Sequence, residues 1–109
     1  MNIVVACDSF KGCMSAPEAV RSIEKGIIRA NPEHKVHAYP MADGGEGTSE
    51  VFARYSKGRL VECSVADAYG KPVSARYCWN EKDKVAIMDA ASAIGLNRTP
   101  RERRNPMIA

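Results

Sequence analysis

The amino-acid sequence predicts an α/β domain with three layers and a mainly parallel sheet. Three observations support this fold class. Short apolar runs, often β-branched, alternate with amphipathic segments of helical period, in the order β-α-β-α-β. Polar and glycine-containing segments follow the first two apolar runs, where a parallel sheet places its loops. The chain has 109 residues, which is enough for one small domain.

The first strand and the first helix have the clearest signals. Residues 2–7 (NIVVAC) form an apolar run that predicts a buried, central and parallel strand. Ser15 and Glu18 have the spacing of a capping box, so a helix is expected to begin there. Asn31 ends this helix, because a residue that precedes proline is pushed out of helical geometry. One apolar stripe recurs along the helix: Ala16, Val20, Ile23 and Ile27.

The following elements continue the alternation. Residues 35–39 predict a second strand, and residues 40–47 predict a loop. A second helix is expected to begin at Thr48 and to stop at residues 57–58, where a glycine follows a lysine. Residues 59–65 predict a third strand. Since a helix precedes each later strand, we expect the three strands to be parallel.

After residue 68 the pattern changes. Residues 73–80 and 84–88 are typical of two strands joined by a polar turn, as in a hairpin. The sheet is therefore expected to become mixed here, or a second, smaller α/β subdomain to begin. We assign residues 1–68 to a Rossmann-like domain. Residues 69–109 form a hairpin-like segment with an Arg- and Pro-rich end, and we interpret this segment as the entry into a second domain.

Composition and charge argue against several kinds of binding partner. The formal net charge of +3 is too small to indicate nucleic acid. Arginines cluster near the end of the chain, either as a solvated face or as a phosphate-binding patch: Arg98, Arg101, Arg103 and Arg104. The four cysteines include no Cys-x-x-Cys pair, and no long apolar run or signal peptide occurs. We therefore expect free thiols, no zinc site, no membrane partner and a cytoplasmic location.

Two loops are candidates for chemistry. The Asp8 loop directly follows the first strand and consists of Asp8, Ser9, Phe10, Lys11 and Gly12. The glycine loop spans residues 42–48 after the second strand and contains Asp43, Gly44, Gly45, Glu46, Gly47 and Thr48. Open parallel sheets bind ligands beyond the carboxyl ends of their strands. The two loops are therefore expected to lie side by side if the two strands are neighbours.

The residue types of both loops suit anion binding and phosphoryl transfer. Glycines let backbone N–H groups approach a ligand closely, and the following helix presents its positive N-terminus to an anion. Asp43 and Glu46 would repel an anion unless a cation or a proton lay between them. This indicates Mg²⁺, or a carboxylate that accepts a proton from a substrate hydroxyl. Lys11 would offset charge on a phosphoryl group.

Each residue also has an ordinary structural interpretation. Asp8, directly after a strand, can cap a turn, and Lys11 taken alone is typical of a surface lysine. The glycines match neither the Walker loop nor the dinucleotide fingerprint. Asp89 ends a strand and is either a cap or a site residue. Cys7 and Cys13 are interpreted as packing residues.

Taken together, these segments resemble the class I glycerate kinase family over the entire chain. The Ala-Asp-Gly-Gly-Glu-Gly-Thr string of the glycine loop is the most specific of them. The other segments, in this order and spacing, are the Asp8 loop with Ser15 and Ala16, Pro40 with Met41, the turn Tyr69-Gly70-Lys71-Pro72-Val73, Gly95 with Leu96, and Glu102-Arg103-Arg104-Asn105-Pro106. Cys7 departs from the pattern, since proline is usual at that position.

The resemblance implies an enzyme that phosphorylates a hydroxyl of D-glycerate with ATP and Mg²⁺. It also implies a family chain of several hundred residues in two α/β domains, of which this chain would carry the N-terminal part. Asp8, Lys11 and Asp43 are then the candidate catalytic residues, and Asp43 and Glu46 the candidate metal ligands. The candidates for binding substrate or phosphate are Ser9, Gly44, Gly45, Glu46, Gly47, Thr48 and Arg104.

Two other functions stay open on the sequence alone. The chain could fold as a flavodoxin-like module that binds an anionic ligand or a partner chain without chemistry. It could also be an inactive truncated piece whose exposed apolar interdomain surface drives self-association.

Overall fold

The computed structural model describes residues 1–108 and divides the chain into two units, residues 1–43 and residues 44 onward. Ala109, the last residue of the predicted second segment, lies outside the described residues. Both units contain helix and strand, so the chain is a mixed α/β protein. The α/β class predicted from the alternation of apolar runs and amphipathic segments is confirmed.

The first unit is a parallel strand–helix–strand. β1 spans Asn2–Cys7, α1 spans Ala16–Ala30 and β2 spans Lys35–Pro40. β1 and β2 pair in parallel, with Asn2 opposite Lys35 at one end and Cys7 opposite Pro40 at the other. Parallel neighbours need a crossover connection, usually a helix, because the chain must return along the sheet before it can pair again. The first three predicted elements are therefore confirmed.

α1 begins with the predicted capping box. The backbone N–H and the hydroxyl of Ser15 both donate to the Glu18 carboxylate, at 2.8 Å each. These two hydrogen bonds, the backbone one first, hold the pKa of Glu18 below its ordinary value. At the other end the N–H of Asn31 donates to the Ile27 carbonyl at 3.0 Å and closes the helix where the sequence predicts.

The predicted apolar stripe of α1 is buried only in its first half. Ala16, Ala19 and Val20 are buried, whereas Ile23 is 39% exposed. β1 is likewise covered on one face only, since Val5 is buried and its neighbour Val4 is 67% exposed. Successive strand side chains point to opposite faces, and α1 is the helix that packs on this strand pair. Within residues 1–108 the prediction that β1 is a buried, central strand is therefore wrong. The predicted self-association through an exposed apolar surface stays a prediction.

The second unit combines a helix with a three-stranded antiparallel sheet. α2 spans Thr48–Ser56, and β3, β4 and β5 span Arg59–Ala66, Pro72–Asn80 and Val85–Met88. β4 lies in the middle of the sheet and pairs with both neighbours. α2 contacts all three strands. The buried apolar residues of this unit are Val51, Ala75 and Cys78.

The direction of β3 corrects one prediction. β3 pairs antiparallel with β4, from Arg59 opposite Trp79 to Ala66 opposite Pro72, so the expectation that it extends a parallel sheet is wrong. Among the strands of residues 1–108, the parallel arrangement is confined to β1 and β2. A tight turn between consecutive strands forces antiparallel pairing, whereas a parallel pair needs a long crossover. The predicted hairpin of β4 and β5 is confirmed.

The turn between β3 and β4 is organised by Asp67. Its Oδ1 accepts the backbone N–H groups of Tyr69 and Lys71, at 2.9 and 2.8 Å. Its own N–H donates to the Lys71 carbonyl at 2.7 Å, and Gly70 adopts a left-handed φ of 76°. Residue 68, the predicted end of the first domain, lies within this turn. That boundary stays a prediction about a longer chain.

α2 ends at the predicted residues, but its glycine has a different purpose from the one expected. The left-handed residue at the helix end is Lys57, with φ of 55°. Gly58 is required by close packing, because a Cβ there would lie 2.5 Å from the Sγ of Cys78. Cys78 is completely buried and, like Cys7, Cys13 and Cys63, is a free thiol.

The chain continues after β5 through short helical turns. α3 spans Ala91–Ile94, and two 3-10 turns span Leu96–Arg98 and Arg101–Arg103. Within residues 1–108, every helix is too short or too polar to cross a bilayer.

Candidate functional site

The Asp8 loop is a tight, locally hydrogen-bonded turn. Oδ1 of Asp8 accepts the N–H of Ser9 at 2.6 Å, so this carboxylate caps the start of the loop. Phe10 and Met14 then close the turn through two backbone hydrogen bonds, of 2.9 and 3.0 Å. Gly12 has a φ of 73°, which a glycine adopts without strain. Lys11 is exposed within this closed turn, so a defined backbone carries its ammonium group.

The two predicted loops begin at the same edge of the first unit. Cys7 lies opposite Pro40 in the parallel register, and the N–H of Met41 donates to the Cys7 carbonyl at 2.9 Å. The chain therefore departs from β1 at Asp8 beside the point where it departs from β2. The condition stated for the two loops, that the two strands are neighbours, is therefore met. Proximity of the Asp8 loop to residues 44–48, which belong to the second unit, stays a prediction.

Residues 44–48 of the glycine loop lead directly into α2. Gly44 and Gly47 have φ values of 98° and 84°, which explains why glycine occupies both positions. Thr48, the first residue of α2, is buried, and its hydroxyl donates to the Gly45 carbonyl at 2.8 Å. The Thr48 hydroxyl therefore folds the loop back on itself, and the predicted role of Thr48 in binding substrate or phosphate stays a prediction.

The buried carboxylate of Asp89 accepts hydrogen bonds from the start of α2. Oδ2 of Asp89 accepts the N–H of Ser49 at 3.2 Å and the Ser49 hydroxyl at 2.8 Å. Oδ1 of the same side chain accepts the N–H of Ser92 at 2.9 Å. Of the two interpretations left open for Asp89, the observed contacts are those of a cap. Ser49 was missed because its partner lies 40 residues away in sequence.

Glu46 has a neutral partner in the second unit. Its Oε2 accepts the side-chain amide of Asn97 at 2.6 Å, so the carboxylate links the glycine loop to the turn after α3. Asp43 is exposed at the end of the first unit. In residues 1–108, no group of three or more His, Cys, Asp or Glu side chains is placed to hold a metal ion. The roles of Asp43 and Glu46 as metal ligands stay predictions.

Arg104 makes structural contacts near the end of the described chain. Its guanidinium donates to the carbonyls of Thr99 at 3.0 Å and Leu96 at 2.8 Å. The neighbouring Arg103 stacks its guanidinium over the Tyr69 ring, 4.9 Å from the centroid, and the Tyr69 hydroxyl donates to the Arg103 carbonyl. The β3–β4 turn and the arginine-rich segment, two of the segments that carry the family resemblance, are therefore in contact.

The first unit defines a class of protein. A parallel strand–helix–strand whose carboxyl edge carries polar loops is the arrangement with which α/β proteins bind ligands at the ends of their strands. Comparison with known proteins narrows that class.

A family model described as the glycerate kinase family matches residues 3–109. A glycerate kinase from Haemophilus influenzae is 39% identical over 108 residues, which cover 99% of this chain and 29% of the relative. A glycerate 2-kinase from Escherichia coli is 36% identical over 108 residues, covering 99% of this chain and 28% of the relative. A crystal structure from Salmonella typhimurium, assigned as glycerate kinase 2, is similar with a TM-score of 0.71 and 37% identity over 97% of this chain and 29% of that one.

The chain belongs to the glycerate kinase family. The resemblance drawn from the two loops and the later segments is therefore confirmed. The chain spans less than a third of the length of these relatives.

Proposed function

We propose that the protein is a glycerate kinase, to which this chain contributes the N-terminal part, and that it transfers the γ-phosphoryl group of ATP to a hydroxyl of D-glycerate. The observation that carries the proposal is the family match over residues 3–109, which includes both the Asp8 loop and the glycine loop. In the step, a glycerate oxygen bonds to the γ-phosphorus while the bond from that phosphorus to the bridging oxygen of ADP breaks. The products are a phosphoglycerate and ADP.

The residues of the first unit suit the charge changes of this reaction. The substrate hydroxyl must lose a proton, and the carboxylates of Asp8 and Asp43 are the candidates to orient it or to accept that proton. Lys11 is exposed on the closed turn of residues 10–14 and supplies a positive charge for glycerate or for the transferred phosphoryl group. Ser9 follows Asp8 in the same loop and adds a hydroxyl donor.

The glycine loop is the candidate anion cradle in the second unit. Its left-handed glycines, Gly44 and Gly47, shape a backbone that bulkier residues would strain, and this backbone is proposed to receive the glycerate carboxylate or a phosphate. Mg²⁺, when bound with ATP, would neutralise charge on the phosphates. Arg104 is proposed as a further anion ligand through guanidinium donors beyond those bonded to Thr99 and Leu96.

Turnover of D-glycerate by the full-length protein and two variants tests the proposal. Lys11→Ala and Asp43→Asn are each expected to lower the rate by about a hundredfold or more, because each removes a charge from the reacting groups. Lys25→Ala is a matched control, since Lys25 is an exposed lysine of α1. Rates near wild type in both test variants would contradict the assigned roles. Binding of glycerate without turnover by the wild-type protein would favour a non-catalytic module instead.

A further inference from the structure

Asp89 is the one acidic residue that is buried among the described residues. The side chain is 5% exposed, and both of its oxygens accept hydrogen bonds. Ser49, which donates two of them, is 2% exposed. A carboxylate removed from water is stabilised only where donors surround it, and here three donors from two helix starts do so.

Hydrogen bonds of two consecutive residues, Ser49 and Thr48, connect this carboxylate to the glycine loop. Asp89 holds Ser49, the second residue of α2, through its backbone and its hydroxyl. The preceding residue, Thr48, donates its hydroxyl to the Gly45 carbonyl at 2.8 Å and its N–H to the same carbonyl at 3.3 Å. The position of Asp89 therefore fixes the start of α2, and the start of α2 fixes how the loop folds.

We propose that Asp89 is a positioning residue of the glycerate kinase site, which sets the shape of the glycine loop by clamping Ser49 at the start of α2. The inference rests on the proposed function of that loop. The Ser49 N–H at the start of α2 donates to Asp89, so this N–H stabilises the fold and does not bind a substrate anion. The clamp joins α2 to the end of β5 and the start of α3, so it couples the loop to the antiparallel sheet.

Asp89→Asn in the full-length protein is the decisive variant. One of its two side-chain oxygens becomes an NH₂ group that cannot accept a hydrogen bond, so either Ser49 or Ser92 loses its acceptor. We expect kcat/KM for D-glycerate to fall by about ten- to a hundredfold, since misplaced binding groups cost rates of this order. Asp89→Glu, which keeps both acceptor oxygens, restores part of that loss.

Hydrogen exchange provides a readout of the clamp that does not depend on activity. In Asp89→Asn, peptides covering residues 44–56 exchange faster than in wild type, because the uncharged amide accepts hydrogen bonds more weakly than the carboxylate and can no longer accept at both the Ser49 and the Ser92 positions. Asp67→Asn is the matched control: Asp67 accepts hydrogen bonds from Tyr69 and Lys71 within the β3–β4 turn, and its substitution leaves the exchange of residues 44–56 unchanged. Ser49→Ala, which removes only the hydroxyl bond, shifts rate and exchange less and in the same direction.

The outcomes separate the two proposals. If Asp89→Asn does not fold, the Ser49→Ala and Asp89→Glu variants decide the question by the same two readouts. Wild-type kcat/KM and unchanged exchange in the folded Asp89→Asn and Ser49→Ala variants would overturn the clamp. A wild-type protein that leaves glycerate unphosphorylated would instead overturn the proposed function, while faster exchange of residues 44–56 in Asp89→Asn would still support the clamp between Asp89 and Ser49.

Discussion

Gly58 joins α2 to β3 at a position with no room for a side chain. A Cβ there would lie 2.5 Å from the Sγ of Cys78 and 3.1 Å from the Trp79 carbonyl oxygen. Because Cys78 is completely buried, the clash cannot be relieved into solvent. We expect Gly58→Ala to lower the free energy of unfolding by about 1–3 kcal/mol, the usual cost of overpacking. Urea unfolding at fixed pH measures the change.

Gly26 provides the matched control for that substitution. It lies within α1, and a Cβ there meets nothing within 4 Å. Gly26→Ala is expected to raise the free energy of unfolding by about 0.5–1 kcal/mol, because alanine restricts the unfolded chain and favours helix. A stability loss at Gly26, or none at Gly58, would contradict this account of the two glycines.

At the scale of single residues, local patterns were predictable and distant contacts were not. Ser15 and Glu18 are three positions apart, so their mutual capping could be read directly from the sequence. Asp89 and Ser49 interact across 40 positions, and no spacing rule connects them. Asp89 itself could be marked as a candidate, but its partner required the fold. The roles of Asp8, Lys11 and Asp43 stay predictions.

The β3–β4 turn makes a prediction at the scale of an element. Backbone hydrogen bonds from Lys71 and Tyr69 hold the pKa of Asp67 below its ordinary value of 3.8. A carboxyl whose pKa is lower in the folded state stabilises the protein fully above its unfolded pKa. That contribution is lost as the pH falls through the folded pKa, when the carboxylate becomes protonated in the native state.

Stability measured against pH tests this element. The free energy of unfolding is expected to fall below about pH 4 in wild type, and Asp67→Asn should remove part of that dependence. Urea titrations from pH 2 to 7 give the comparison, with Asp83→Asn as a control in the neighbouring turn. Identical pH profiles for wild type and Asp67→Asn would contradict the role given to these hydrogen bonds.

Element type was more predictable than element direction. The β3 sequence alternates in the same way whether its neighbour is parallel or antiparallel, so periodicity could not reveal the pairing. The usable signal was the five-residue connection between Ala66 and Pro72, which is too short for a crossover. β1 was predicted to be buried because its run is continuously apolar, but α1 covers one face of it within the described residues.

At the scale of the whole molecule, the order of short motifs indicated the protein family more clearly than any single helix or strand did. Each motif alone fits many proteins, whereas their sequence along the chain indicated the family that the comparison then confirmed. The structure adds contacts between motifs that the sequence keeps apart, such as Tyr69 with Arg103 and Glu46 with Asn97. These contacts join segments that lie far apart along the chain.

Phosphorus NMR of the full-length protein with D-glycerate, ATP and Mg²⁺ tests the central claim most directly. The account predicts that a phosphomonoester signal of phosphoglycerate grows as ATP is consumed, with one ADP formed for each product molecule. A parallel sample without glycerate should leave ATP intact. Unchanged ATP in the presence of glycerate, or ADP with inorganic phosphate and no phosphomonoester, would contradict the claim that this protein is a glycerate kinase.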